Sequence, residues 1–249
     1  MIHIKKQKDI NIMKEGGKIL AQVVDELSRK VKPGISTEEL DRAGEALILD
    51  YKAEPAFKGY DGFPNALCVS VNAEAIVHGV PTDYILQEGD IVSLDLGIRY
   101  RGFYSDMAIT VPVGAVEPET TRLLKTTKKA LKLGIRKARA GNTVGDVGNT
   151  IQRFVEYQGF NVVRDLCGHG IGRNLHEEPQ VPNYGKRHKG QELKEGMVIC
   201  IEPMVTMGDY QLKKTDDGFG YTTKDGSLSA HFEHMLAVTK TGGKILTEL

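Results

Sequence analysis

Apolar residues recur at alternating steps of three and four near the start of the chain: Ile10, Met13, Gly17, Leu20, Val24, Leu27 and Val31. That spacing draws one stripe along a helix, and Pro33-Gly34 stops it. Ser36, with Glu39 three residues on, is a capping box opening a second helix, whose buried face would be Leu40, Ala43 and Leu47. A Gly- and aromatic-rich stretch, FKGYDGFPN (57–65), leads to a strand at Leu67–Val71 and a turn at Asn72. Two apolar runs, IVSLDLGI and FYSDMAITV, then flank Arg99–Gly102 and predict a β-hairpin. A turn centred on Tyr100 and Arg101 would set Asp95 opposite Asp106. Pro118 suits the first turn of a third helix, with Leu123, Thr127, Ala130, Gly134 and Ala138 inward. Asn142 or Thr143 can cap a fourth, striped by Val144, Val147, Ile151, Phe154 and Val155, before a strand at 160–167.

The chain then repeats itself at an offset of 107 residues. KPGISTEEL matches RAGNTVGDV, pairing Gly34 with Gly141, Ser36 with Thr143 and Leu40 with Val147. The same offset lays EGDIVSLD on EGMVICIE, so that Asp95 falls on Glu202. Two matches at one offset predict a duplicated half of helices, strands and a hairpin. The second hairpin carries Glu233 and an extra polar and aromatic loop, 208–221, able to wall a pocket.

Asp95, Asp106, Glu202 and Glu233 therefore lie in apolar strand contexts. One such carboxylate is as readily a satisfied strand-end group as a functional one. Four together would repel strongly unless protonated or shared with cations, and a pair of bridged divalent ions is a recurring hydrolytic solution. His169, between glycines in GHGIGR, is the strongest imidazole candidate. With it the donor set suits Mn, Fe, Co or Zn. His78 and His176 read as donors or acid/base groups beside the metal. His231 is a weaker extra ligand that shares a face with Glu233, whereas His234 points away.

Composition narrows the classes. The 249 residues suffice for a sizeable core, and 33 Lys and Arg balance 33 Asp and Glu, so bulk charge favours neither nucleic acid nor an acidic membrane. No apolar run approaches a membrane span, and MIHIKKQKDI lacks a signal-peptide core. Three scattered cysteines without CxxC fit reduced thiols and a cytoplasmic setting.

The ordered set HGVP, DLG with SDMA eleven residues on, GHGIGRNLHEEP, IEPM and HFEHMLAV resembles the type I methionine aminopeptidases of bacterial form nearly end to end. The resemblance implies an α/β (α+β) pita-bread fold. Its two pseudo-twofold-related halves, roughly 10–115 and 118–245, would share antiparallel sheet and outer helices within a single catalytic domain, 1–249. It implies removal of the initiator methionine when the second residue is small, by a water that two divalent ions activate. Asp95, Asp106, His169, Glu202 and Glu233 would be metal ligands, with Asp106 and Glu233 bridging and Glu202 also the general base. His78 and His176 would meet the substrate amide and carbonyl, and Tyr60, Phe63, Cys68 and Phe219 would line the methionine pocket. Expected partners are nascent N-termini, with transient ribosome contact by a monomer, and neither a membrane nor specific nucleic acid. Xaa-Pro peptidases share the metal set but add an N-terminal domain, for which there is no room here. A non-catalytic relative is expected to have lost ligands.

Overall fold

The computed structural model describes residues 2–73 and 76–249. Helices α1 (Gln7–Ser28) and α2 (Thr37–Asp50) back one antiparallel sheet. In it Ile91–Tyr100 pairs with Leu67–Val71 on one edge and Phe103–Pro112 on the other. Helices α3 (Pro118–Lys137) and α4 (Val144–Tyr157) back the strands of the second half. Each layer closes over its own apolar core: Leu20, Leu27, Leu40, Leu67 and Leu94 in the first, and Leu123, Ala130, Ile151, Ile199 and Leu236 in the second. Among the described residues, no helix is long and apolar enough to cross a membrane.

The internal repeat is visible bond by bond. Gly34 and Gly141 take left-handed φ of 92° and 86° and donate to Leu86 O and Leu193 O at 2.9 and 3.0 Å. Ser36 and Thr143 each cap a helix through a reciprocal box, with Glu39 and Asp146 as partners. Each also bridges an equivalent residue, Ile85 and Glu192. Thr143, not Asn142, is thus the cap of α4.

Three expectations need correction. The first hairpin turns at Arg101-Gly102, both at positive φ (49° and 79°), and Tyr100 pairs with Phe103. A two-residue loop of this hand matches strand twist and wants Gly at its second position. Asp95 consequently faces Ala108, and Asp106 faces Gly97. The two carboxylates remain on one face, as diagonal neighbours. The buried face of α2 is Leu40, Asp41, Gly44 and Ile48, because Asp41 turns inward to accept from the backbone of Ala66 and Leu67. The strand expected over 160–167 is confined to Asn161–Val162.

The second hairpin is broken where the first is continuous. Val198–Ile201 and Met204–Thr206 are separated by Glu202 and Pro203, and Ser229–His231 and His234–Val238 by Phe232 and Glu233. Proline lacks the N–H a ladder needs. Backbone bonds here run between halves: Glu233 N donates to Ala108 O at 2.8 Å, and Thr110 Oγ1 both accepts from His231 N and donates to His231 O, each at 2.8 Å. His231, rather than Glu233, thereby occupies the position equivalent to Asp106.

Close approach also explains Gly17, where a Cβ would lie 2.3 Å from Leu246 O; at Gly16 the nearest atom is the Ser105 hydroxyl at 3.1 Å. Gly17→Ala is expected to cost about 1–3 kcal/mol by overpacking and Gly16→Ala distinctly less, as read from urea unfolding midpoints. Equal effects would contradict the packing account.

Candidate metal centre and adjoining cavity

The eleven residues that the resemblance assigns to the site border one cavity of about 180 Å³: Asp95, Asp106, His169, Glu202 and Glu233 with His78, His176, Tyr60, Phe63, Cys68 and Phe219. Phe57, Asp61 and Leu175 complete its wall. The carboxylates come from the two hairpins, Asp95 and Asp106 from the intact one and Glu202 and Glu233 from the two breaks in the other. The strand Gly168–Gly170 carries His169 between close neighbours. A Cβ at Gly168 would lie 2.3 Å from Cys200 O, and one at Gly170 2.2 Å from Glu178 O.

Glu233 is the hub. A Glu233 carboxylate oxygen joins each of three groups, with Asp95 and Asp106, with Glu202 and His231, and with His169 and Cys200, the ligand atoms of each group lying within 4.8 Å of one another. His169 Nδ1 donates to Gly170 O at 2.8 Å, which leaves the Nε2 lone pair facing Asp106 Oδ2 at 3.8 Å and Glu202 Oε1 at 3.7 Å. Asp95 Oδ1 and Glu233 Oε1 are buried with no hydrogen-bond partner. Buried orphan carboxylate oxygens are costly. Unpaired oxygens converging with an imidazole lone pair are the donor set of a divalent transition-metal site, so the residues fit such an ion. Burial, reinforced by Glu233 and Asp106, pushes the Cys200 thiol well up.

The electrostatics separate the four carboxylates. Burial, with Glu202 adding to it against the pull of His231, pushes Asp95 up to about 7. Burial and the neighbouring carboxylates push Asp106 and Glu233 well above the usual range. Burial acts on Glu202 too, but it is outweighed by His231, whose Nε2 is 3.5 Å from Glu202 Oε2, and by His169 and His78; Glu202 is held below its usual value. His231 was the residue undervalued in the sequence. Its signal was its place two residues from Glu233, but only the broken hairpin shows that it reaches Glu202. His234 turns away to Thr247 Oγ1, 3.0 Å distant.

Local structure fixes the rest. His78 takes φ 54°, and Gly79 beside it docks on the first sheet through Ser70 Oγ at 3.0 Å and Val69 N at 2.9 Å. His176 hangs from a loop tied by Glu177. One Glu177 oxygen accepts from Arg173 N and Asn174 N, and the other pairs with Lys5 at 2.7 Å. Both imidazoles open on the cavity, yet surrounding protein desolvates them: His78 is lowered, and His176 falls to about 4, with His169 adding to the burial. Phe219 is held at the tip of the extra loop by Asp217 Oδ1, which accepts from Phe219 N at 2.8 Å, and meets Phe63 edge-on at 5.5 Å.

Residues 11–240 match metallopeptidase family M24. The chain is 48% identical to methionine aminopeptidase of Clostridium perfringens over 99% of both chains, and 45% identical to methionine aminopeptidase 1 of Bacillus subtilis over the whole of both. The crystal structure of methionine aminopeptidase from Thermotoga maritima superposes with a TM-score of 0.98 at 42% identity, covering both chains fully.

The neutral form of Asp95 favours the metal-free fold: it ionises near 3.8 when unfolded and near 7 when folded. Its contribution is full below about pH 4 and is lost as pH rises through 7. Chelator-treated protein should therefore lose thermal stability between pH 5 and 8 beyond what Asp95→Asn loses, and Mn should restore stability most at the alkaline end. Parallel melting curves for the two proteins would refute the burial argument.

Proposed function

The chain belongs to metallopeptidase family M24, and from that premise we propose that it is a metal-dependent aminopeptidase that removes the N-terminal methionine from polypeptides whose second residue is small. The observation that carries this reading is a single cavity with two chemically distinct walls. One is the carboxylate and imidazole cluster; the other is Tyr60, Phe63, Cys68 and Phe219, an apolar and polarisable lining of the kind a thioether favours. Methionine aminopeptidases are among the relatives that match over nearly the full length of both chains.

In this reading Asp95, Asp106, His169, Glu202 and Glu233 would hold two divalent cations of the Mn, Fe, Co or Zn type. The three overlapping ligand groups that meet at Glu233 support more than one ion. When bound, such ions polarise a carbonyl and make a water acidic enough to ionise near neutral pH. Glu202, the carboxylate held ionised, accepts the proton of the attacking water. His176, neutral at working pH, donates a hydrogen bond to the scissile carbonyl oxygen as charge develops there. His78 contacts the substrate amide. We further read residues 1–249 as one catalytic domain, with the halves 10–115 and 118–245 related by the capping and bridging bonds of the repeat. Its substrates would be nascent N-termini, met as a monomer in the cytoplasm with transient ribosome contact.

Met-Gly-Met and an Xaa-Pro peptide assayed side by side decide the substrate class. Methionine release from the first only, lost on chelation and restored by Mn or Co, is expected. Preferred cleavage of the Xaa-Pro bond, or full activity after thorough chelation, would contradict the reading. His176→Ala should lower kcat by roughly 10²–10³ with bound metal unchanged; a variant without metal would make His176 a ligand instead.

A further inference from the structure

Tyr60 does more at this site than supply an aromatic face. Its hydroxyl lies 2.9 Å from His176 Nδ1, with the rings edge to face at 5.2 Å. We propose that Tyr60 is a positioning residue whose hydroxyl donates to His176 Nδ1 and fixes the tautomer that presents Nε2–H to the cavity. The proposal rests on the reading of His176 as hydrogen-bond donor to the scissile carbonyl.

A neutral imidazole has one N–H and one lone pair, and a phenol can give or take a proton in a hydrogen bond. The phenol O–H is the stronger donor of the two, and the imidazole lone pair the stronger acceptor. The contact is therefore O–H to Nδ1, and the proton of His176 is on Nε2. Desolvation, with Asp61 beside it, raises Tyr60, so its hydroxyl keeps its proton at working pH.

The neighbouring histidine gives the contrast. His169 and His176 pack edge to face at 4.4 Å, but His169 Nδ1 meets a carbonyl, Gly170 O. A carbonyl can only accept, so His169 carries its proton on Nδ1 and turns a lone pair to the carboxylate cluster. The two imidazoles are thus locked in opposite tautomers by partners of opposite kind, one for ligation and one for donation.

The backbone holds Tyr60 for this task. It is flanked by Gly59 at φ 85° and by Asp61 and Gly62 at 45° and 84°. The turn closes through Tyr60 N to Phe57 O, Phe63 N to Tyr60 O and Gly59 N to Phe63 O, at 2.9, 2.9 and 2.7 Å. Such a clamp fixes the backbone from which the hydroxyl reaches His176, and a Phe at position 60 would keep the ring while removing the donor.

The test compares Tyr60→Phe with the parent protein in two ways. In metal-free protein labelled with 15N-histidine, long-range 1H–15N spectra should show His176 with Nε2 protonated and Nδ1 as a hydrogen-bonded acceptor, and Tyr60→Phe should shift the Nδ1 resonance. In the metal-loaded enzyme, Tyr60→Phe should lower kcat on Met-Gly-Met about tenfold, the scale of one lost hydrogen bond. KM should stay within about threefold, because the pocket wall is unchanged. In a His176→Ala background the same substitution should have no further effect. A protonated Nδ1 in the parent, an unmoved Nδ1 resonance in Tyr60→Phe, or an equal kcat loss in the His176→Ala background would each overturn the proposal. If the parent releases no methionine, the functional reading fails, while the spectra still decide the tautomer.

Discussion

Four carboxylates share one desolvated volume, and the rest of the structure is arranged around that constraint. Asp95 and Asp106 enter from an intact hairpin, Glu202 and Glu233 from a broken one. Placing like charges together in a low-dielectric interior is unfavourable unless protons or cations compensate. Both layers of helix and sheet nevertheless press them together. The packing of α1 and α2 on one sheet and of α3 and α4 on the other supplies apolar burial far from the cluster, and the bonds at Ala108, Thr110, His231 and Glu233 join the halves beside it. The cluster is thus a place where local electrostatics oppose the fold and global packing prevails.

The duplication makes this arrangement economical in sequence terms. One half-fold, used twice, brings equivalent strand positions face to face about a pseudo-twofold axis. Divergence then does the chemical work. Pro203 interrupts the ladder beside Glu202, and across from it Glu233 N bonds Ala108 O of the other half.

Much of this is legible in the sequence. The strand Leu67–Val71 and the capping residues Ser36 and Glu39 follow from short-range rules that tertiary packing did not override. The offset of 107 exposed the equivalence of Asp95 and Glu202 because both halves kept the same Gly and cap positions. The hairpin register was misplaced because Arg101 gives no sign of its positive φ; Gly102 did, and centring the turn there would have found it. The role of His231 is hidden in the sequence because the extra loop of the second hairpin disguises which residue is equivalent to Asp106. The Tyr60 hydroxyl and its partner are 116 residues apart in the chain, and no spacing rule links them.

The most direct measurement is divalent-cation stoichiometry by calorimetry near pH 7.5, on the parent protein and on Glu233→Gln. With Glu233 as the hub, the parent should bind two ions per chain and the variant should weaken both sites together. One ion per chain in the parent, or a variant that loses a single ion while the other binds with unchanged affinity, would contradict the shared centre.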